Sequence, residues 1–208
     1  SYRGVVWIAV LLAGGRGSRL GGRYKPGITV AGQTLLDRAL AAVRGAGRVV
    51  VVGPEQPATA AMPMQWTRED PPGGGPVAAL AAGLTDIANA TEVIVLATDL
   101  AGITEGTVDR LRAALAAAPD TDGVVLRDRT GRRQWLIGAW RSGPLVAALP
   151  EHPHGAALHA TLAALAVAEL PELPGESVDI DTPADLAAAL AAHQEGRSAG
   201  GPSQPSHW

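Results

Sequence analysis

The sequence predicts a three-layer α/β/α sandwich with a mainly parallel, Rossmann-like sheet. Nearly continuous apolar runs at Val5–Leu12, Arg48–Val52 and Glu92–Ala97 have the composition of strands covered on both faces. Stretches with apolar residues at helical spacing intervene between them. The chain of 208 residues, 47% of them hydrophobic, is long enough to bury one sizeable core.

Taken in order, Val5–Leu12 is a buried strand that stops at glycines. Thr34–Val43 presents Leu35, Leu36, Ala39, Leu40 and Val43 at helical spacing. Arg48–Val52 is a second buried strand and Met64–Thr67 a short third. Pro76–Ile87 places Val77, Leu80, Leu84 and Ile87 on one helical face. Glu92–Ala97 is a strand ending at Thr98-Asp99, and Thr104–Ala118 is a helix with Val108, Leu111 and Leu115 inward. Gly123–Arg127 and Gln134–Arg141 read as strands about a turn at Thr130-Gly131. Leu145–Leu149 and His159–Leu170 read as helices and Val178–Ile180 as a short strand. A last helix runs to Ala192, with Thr182 as its N-cap and Pro183 at its first position. The expected organisation is one domain over 1–193. Residues 194–208, rich in Gly, Ser and Pro, form an expected disordered tail.

Composition excludes several classes. A formal net charge of −3 and 18% charged residues do not suit a nucleic-acid binder. The absence of cysteine removes disulfide scaffolds, thiolate metal sites and cysteine nucleophiles. The longest apolar run, Val5–Ala13, is too short to span a membrane. Arg3 ahead of that run raises a signal-peptide reading, but Gly-Gly and a basic loop follow where a small-x-small cleavage site would stand. The expected location is the cytoplasm.

In open α/β sheets ligands bind beyond the carboxyl ends of the strands, so the loops after Leu12, Val52, Thr67 and Ala97 matter most. Residues 12–25 hold five glycines together with Arg16, Arg19, Arg23 and Lys25. Lys25 is the only lysine in the chain. Glycine amides and clustered cations suit a polyphosphate. The spacing is neither a Walker A motif nor G-x-G-x-x-G, whose last glycine is replaced by Leu20. Asp99, at the end of a buried strand, either holds Mg²⁺ against phosphate oxygens or caps a turn. Asp179 and Asp181 share one side of a strand if that segment is extended, and serve either metal or the last helix. Asp70, in a Pro/Gly-rich bend, reaches a base or sugar or only closes the turn. His152, His154 and His159 read as an exposed loop and helix start rather than a metal set. Trp135 and Trp140 alternate on the second hairpin strand, so that one of them lines a groove.

These segments, in this order, resemble the MobA-like NTP transferases, which attach a nucleotide to molybdenum cofactor. Leu12-Ala13-Gly14-Gly15-x3-Arg19-x-Gly21-Gly22-x2-Lys25 is similar to that family's first signature. Asp70 with Gly75-Pro76 resembles its second segment, and Asp99 falls where the family has a magnesium aspartate. Asp179-Ile180-Asp181-Thr182-Pro183 resembles its closing box. The resemblance spans residues 5–192. It implies that Leu12, Ala13, Gly14, Gly15 and Gly17 contact the nucleotide, that Arg19 and Lys25 hold its phosphates, and that Asp70 contacts the nucleoside. It further implies that Asp99, shared with Asp181, binds Mg²⁺. The chain departs from the family pattern at Tyr24, at Thr98-Asp99-Leu100-Ala101, at Val52-Gly53 and at Gly155–His159.

The implied reaction is transfer of a nucleotide, GMP favoured over CMP, from NTP to a phosphorylated pterin-type acceptor with release of pyrophosphate. Gly14-Gly15 resembles the guanylyl branch, whereas Asp179-x-Asp181 resembles the cytidylyl branch. Two rival readings stand beside it: an NAD(P) oxidoreductase, from Gly15-x-Gly17 after the first strand, and a nucleotide-binding regulator without turnover.

Overall fold

The computed structural model describes residues 7–14, 16–17, 23–58, 62–85, 87 and 90–199. The strands are β1 (Trp7–Leu12), β2 (Arg16–Gly17), β3 (Arg23–Tyr24), β4 (Thr29–Val30), β5 (Gln33–Thr34), β6 (Arg48–Val52), β7 (Gln65–Thr67), β8 (Glu92–Ala97), β9 (Gly123–Arg127), β10 (Arg133–Arg141) and β11 (Val167–Pro171). The helices are α1 (Leu35–Ala42), α2 (Pro76–Gly83), α3 (Glu105–Ala117), α4 (Ser142–Ala147), α5 (Leu158–Leu162) and α6 (Pro183–Ala199).

Seven strands form the central sheet in the order β11-β9-β10-β8-β1-β6-β7. All neighbours are parallel except β10, which runs antiparallel to both β8 and β9. Alternation along the strands divides the core between the two faces. Ala9, Leu11, Val49 and Val51 face α1 and α3, while Ile8, Val10, Val50 and Val52 face α2, α4 and α5. Each fully buried Leu, Ile or Val contributes on the order of 1.5–3 kcal/mol, and β1 is buried along its whole length. Gly83 lets α2 lie close on this sheet: a Cβ there would stand 2.5 Å from Val10 Cγ1 and 2.9 Å from Val52 Cγ2. The helix ends at that residue, before Ile87.

Capping follows the local sequence. Thr34 Oγ1 accepts from Asp37 N at 3.0 Å to start α1, and Thr104 and Thr107 make a reciprocal capping box on α3. Pro76 and Pro183 occupy first helical positions. A smaller cluster of Ile28, Val30, Leu35 and Ile180 receives Leu186 and Ala189 of α6, which ties the last helix to the β4–β5 hairpin.

Three segments differ from the expectation. His159–Leu170 is not one helix: α5 ends at Leu162 and Val167–Pro171 is the edge strand β11, parallel to β9. The alanine-rich run has helical propensity, but pairing overrides it. Asp122 N donates to Ala166 O at 2.7 Å, and Asp122 Oδ2 accepts from Ala166 N at 2.8 Å, fixing the register where the strand begins. Val178–Ile180 makes a single bridge, Leu100 to Asp179, rather than a strand. The last helix continues past Ala192 to Ala199, so residues 194–199 are helical rather than an irregular tail. They carry no large apolar residue, yet Gln, Glu, Arg and Ala propagate a helix already nucleated on Leu186. Among the described residues no helix is long and apolar enough to cross a membrane.

Candidate active site

The site begins where β1 ends. Ala13 N donates to Val52 O at 2.8 Å, and the carbonyl of Leu12 accepts from both the amide and the hydroxyl of buried Thr98, each at 3.2 Å. The first loop is thereby clamped between the ends of β6 and β8. Gly53 makes this approach possible, because a Cβ there would stand 2.8 Å from Ala13 O. Gly14 follows, exposed, with nothing within 4 Å of a Cβ built on it.

The chain returns through the short β2–β3 pair, Arg16 opposite Tyr24 and Gly17 opposite Arg23, and enters a 3-10 turn at Lys25–Gly27. Ile28 N closes that turn on Lys25 O at 2.9 Å. The Lys25 ammonium is directed between two carboxylates. It lies 3.5 Å from Asp99 Oδ2 and donates a hydrogen bond to Asp181 Oδ1.

Backbone pairing brings these acids together across the chain. Ile180 N donates to Asp99 O at 2.9 Å and Ala101 N to Val178 O at 3.0 Å, so the closing segment lies antiparallel along the turn after β8. Asp185 then fixes Asp181 from behind. Its carboxylate accepts from Asp181 N at 3.1 Å, Thr182 N at 2.7 Å and Thr182 Oγ1 at 2.8 Å, while Thr182 Oγ1 accepts from Asp185 N at 3.2 Å. Thr182 caps α6 as expected, and the reciprocal role of Asp185 adds a support that Thr182-Pro183 alone did not announce.

The electrostatics follow the geometry. Burial by itself lowers the pKa of Lys25, but the hydrogen bond to Asp181 and the charges of Asp99 and Asp181 outweigh it and hold the ammonium above its ordinary value. Partial desolvation, then Asp181 and Asp99, push the Asp179 carboxyl above its usual range. The hydrogen bonds from Thr182 hold Asp185 below it.

Leu12, Ala13, Gly14, Lys25, Asp99 and Asp181 therefore converge on one rim of the sheet. Asp70 is exposed in the loop after β7. Next to it, Glu69 Oε1 accepts from Gly73 N at 2.9 Å, and Gly75, at φ +90°, leads into α2. Gly15 and Arg19 lie outside the described residues. No group of three or more potential metal ligands is preformed among the described residues, and the three histidines make no such set. His154 instead sits against Gly74, where a Cβ would lie 2.9 Å from its ring, and Gly155 N donates to Gly74 O at 2.8 Å. That contact packs the loop before α5 onto the entrance of α2.

The aromatic pair departs from simple alternation. The register between β9 and β10 shifts between Gln134 and Gly138, a bulge that re-aims the side chains before it. Trp135 and Trp140, five residues apart, consequently stack on one face with ring centroids 6.4 Å apart and planes 17° apart.

Residues 9–170 match the MobA-like NTP transferase domain. The chain belongs to this family. A molybdenum cofactor guanylyltransferase from Bradyrhizobium sp. (strain ORS 278) is 35% identical over 138 residues, which is 63% of this chain and 64% of that protein. The chain thus matches somewhat less than two thirds of that relative's length. The molybdopterin-guanine dinucleotide biosynthesis protein A of Archaeoglobus fulgidus has the same fold, with a TM-score of 0.70 at 17% identity over 90% of this chain and 99% of its own. So does a Mycobacterium tuberculosis protein in complex with manganese, with a TM-score of 0.67 at 18% identity over 89% and 98%.

Proposed function

We propose that the chain is a metal-dependent nucleotidyltransferase that moves GMP from GTP to the phosphate of a molybdopterin-type acceptor. The observation that carries this reading is the convergence of Lys25, Asp99 and Asp181 beside the glycine loop. The family and the name of the Bradyrhizobium relative support the guanylyl and pterin assignments, as does Gly14-Gly15 in the first loop.

The two carboxylates fit a divalent ion: their oxygens already converge on one cationic centre, and hard oxygen donors suit Mg²⁺ or Mn²⁺. Two protein carboxylates, with nucleotide phosphates completing the shell, are a common way to hold Mg²⁺. When bound, the ion neutralises charge developing on the α-phosphate. The rest of the chemistry belongs to the chain. An ionised oxygen of the acceptor phosphate forms a bond to the α-phosphorus while the bond from that phosphorus to the β-bridging oxygen breaks, and pyrophosphate carries away the electron pair. An already ionised phosphate needs no general base. Catalysis is positioning and electrostatic stabilisation, supplied by backbone amides of the glycine loop and by the charges of Lys25 and Arg19. The location that goes with this reading is the cytoplasm, where nucleoside triphosphate is available as substrate.

The test is conversion of labelled GTP and molybdopterin to a dinucleotide and pyrophosphate under Mg²⁺. Asp99→Asn retains the fold and loses Mg²⁺-dependent turnover, since a neutral amide is a poor ligand for a hard cation. Wild-type turnover in that variant removes Asp99 from the metal site. Competition of GTP against CTP gives at least about tenfold preference for GTP, the discrimination expected of a site that pairs a base edge. Preference for CTP reassigns the base.

A further inference from the structure

The peptide unit that joins Leu12 to Ala13 is held at both of its polar atoms. Its amide, Ala13 N, donates to Val52 O at 2.8 Å, and its carbonyl, Leu12 O, accepts from Thr98 N and Thr98 Oγ1, each at 3.2 Å. The bond from the Thr98 amide continues the parallel ladder that pairs Leu12 with Ala97. The bond from the hydroxyl is additional, because the ladder already satisfies the carbonyl. A single donor lets a peptide plane rock about one bond; a second donor on the same oxygen restrains it. Gly14 comes next, exposed and with open space around it. The Leu12-Ala13 plane therefore sets the direction in which the glycine loop leaves the sheet.

A buried hydroxyl at this point is not demanded by packing. Among the described residues the buried polar side chains are Asp37, Thr98, Thr107 and Glu176. Asp37 accepts from Thr34 Oγ1 at 2.7 Å at the start of α1, and Thr107 Oγ1 donates to Glu176 at 2.7 Å beneath the closing segment. Those three serve helix starts and the docking of one segment on another. Thr98, 2% exposed, stands instead at the rim, directly before Asp99. Valine would fill the same shape there without a polar atom to desolvate.

The two residues Thr98 and Asp99 hold both ends of the same loop. Residues 12–25 leave the sheet at Leu12, bonded to Thr98, and finish at Lys25, whose Nζ lies 3.5 Å from Asp99 Oδ2. Asp99 is fixed in turn through its own carbonyl, which accepts from Ile180 N at 2.9 Å. One end of the loop is thus tied by a hydrogen bond shielded from solvent, the other by an ion pair open to exchange.

We propose that Thr98 is a positioning residue for the nucleotide. Its hydroxyl fixes the root of the glycine loop relative to the Asp99 carboxylate, so that loop amides and carboxylate address the same triphosphate. It touches no reacting atom and acts through Leu12. The assignment rests on the nucleotide-binding reading above.

Thr98→Val, which keeps the shape, and Thr98→Ser, which keeps the hydroxyl, separate this role from packing. Affinities for GTP and CTP are measured by titration calorimetry, nucleotide-free Mn²⁺ binding by electron paramagnetic resonance, and melting temperature by scanning calorimetry. Thr98→Val melts close to the wild type, since the ladder amide still satisfies Leu12 O. It binds the preferred nucleotide about threefold to fivefold more weakly, the scale of one ordinary hydrogen bond. Its nucleotide-free Mn²⁺ affinity is unchanged, because the bond from Ile180 still fixes Asp99. Thr98→Ser melts lower, having lost a buried methyl group, yet binds nucleotide as the wild type does. A merely structural hydroxyl does not produce this crossing of stability and affinity. Wild-type nucleotide affinity in Thr98→Val overturns the role of Thr98 alone. A parallel loss of Mn²⁺ affinity also overturns it, by marking a disturbed Asp99, and so does weakened binding in both variants that follows their melting temperatures. A wild type that binds neither GTP nor CTP overturns the nucleotide reading, and the role of Thr98 with it.

Discussion

Two carboxylates on the closing segment, Glu176 and Asp181, each meet a cation from the body of the domain, yet their surroundings are opposite. Glu176 is 5% exposed and saturated. It accepts from Arg110 Nη1 at 2.7 and 2.8 Å, from Thr107 Oγ1 at 2.7 Å and from Leu173 N at 2.6 Å. The side chain of Asp181 is 41% exposed, and its partner Lys25 is shared with Asp99. A charge surrounded by donors has no capacity left for a ligand and serves the fold. A charge pair with spare donors and acceptors, open to solvent at the mouth of a glycine loop, can exchange partners. The same short stretch of chain is therefore riveted at one position and left exchangeable at the other.

Removing the exchangeable cation gives the largest expected effect. Lys25→Ala lowers nucleotidyl transfer by about a hundredfold or more, the scale of one lost transition-state contact, with little change in melting temperature. Lys25→Arg recovers little, because a planar fork does not reproduce a compact ammonium between two carboxylates. Full activity in the arginine variant would sink this account of Lys25. Initial rates of pyrophosphate release from GTP and acceptor provide the measurement.

Glu176→Ala tests the rivet and inverts the outcome: specific activity of the folded protein is retained while stability falls by about 2 kcal/mol. That is below the usual range for breaking a buried pair, because Arg110 keeps 30% of its side-chain surface exposed. Urea denaturation reads it. Burial pushes the Glu176 carboxyl up, but the hydrogen bonds from Arg110, Leu173 and Thr107 prevail and hold it below its ordinary value. The folded protein thus binds this proton less readily than the unfolded chain. Its stabilisation is complete at neutral pH, above the unfolded value of about 4.3, and is lost as pH falls through the folded value. The stability difference between wild type and Glu176→Ala narrows on acidification below about pH 4; a constant difference down to pH 2 would remove the carboxylate from the rivet.

This contrast was only half legible in the sequence. Lys25 stood out as the sole lysine within a basic glycine loop, and Asp99 and Asp181 as acids at the end of a strand and ahead of a helix. Buried strands β1, β6 and β8 declared themselves by apolar runs, because a strand covered on both faces has no polar alternation to confuse the pattern. Glu176 carried no signal, since its partners lie 66 and 69 residues away on α3. β11 was hidden for a similar reason: an edge strand at the end of an alanine-rich run is specified by Asp122 and by Glu169 pairing with Arg127 and Arg133, not by its own propensity. Trp135 was visible, but the bulge that turns it onto the face of Trp140 is a property of strand register that no single-strand pattern expresses.

The exchange ascribed to Asp181 is measurable without turnover. In the nucleotide-free protein the Lys25 ammonium stands between the two carboxylates that suit a divalent ion, so the two cations compete. Lys25→Met, which keeps the length of the side chain without its charge, raises nucleotide-free Mn²⁺ affinity by about tenfold, or roughly 1.4 kcal/mol, as read by electron paramagnetic resonance of free Mn²⁺. Equal or weaker Mn²⁺ binding would show that Lys25 does not guard this position.

The smallest effect comes from beyond the last anchor of the closing segment. Asp181 is held by Asp185 at the start of α6, and α6 is held in turn by Leu186 and Ala189 against Ile28, Val30 and Leu35. Both anchors lie in its first two turns. Residues 194–208 contain no Leu, Ile, Val or Met, and the helical turns through Ala199 extend the helix rather than fasten it. Deleting 194–208 therefore leaves transfer rate and melting temperature within error of the full chain. Leu186→Ala, by contrast, costs about 1 kcal/mol, below the range of about 2–5 kcal/mol for a core leucine because Leu186 is only partly buried, and lowers activity by loosening Asp181. If the deletion destabilises as much as Leu186→Ala, the closing segment is held from its far end, and the division between a riveted Glu176 and an exchangeable Asp181 must be redrawn to include the whole of α6.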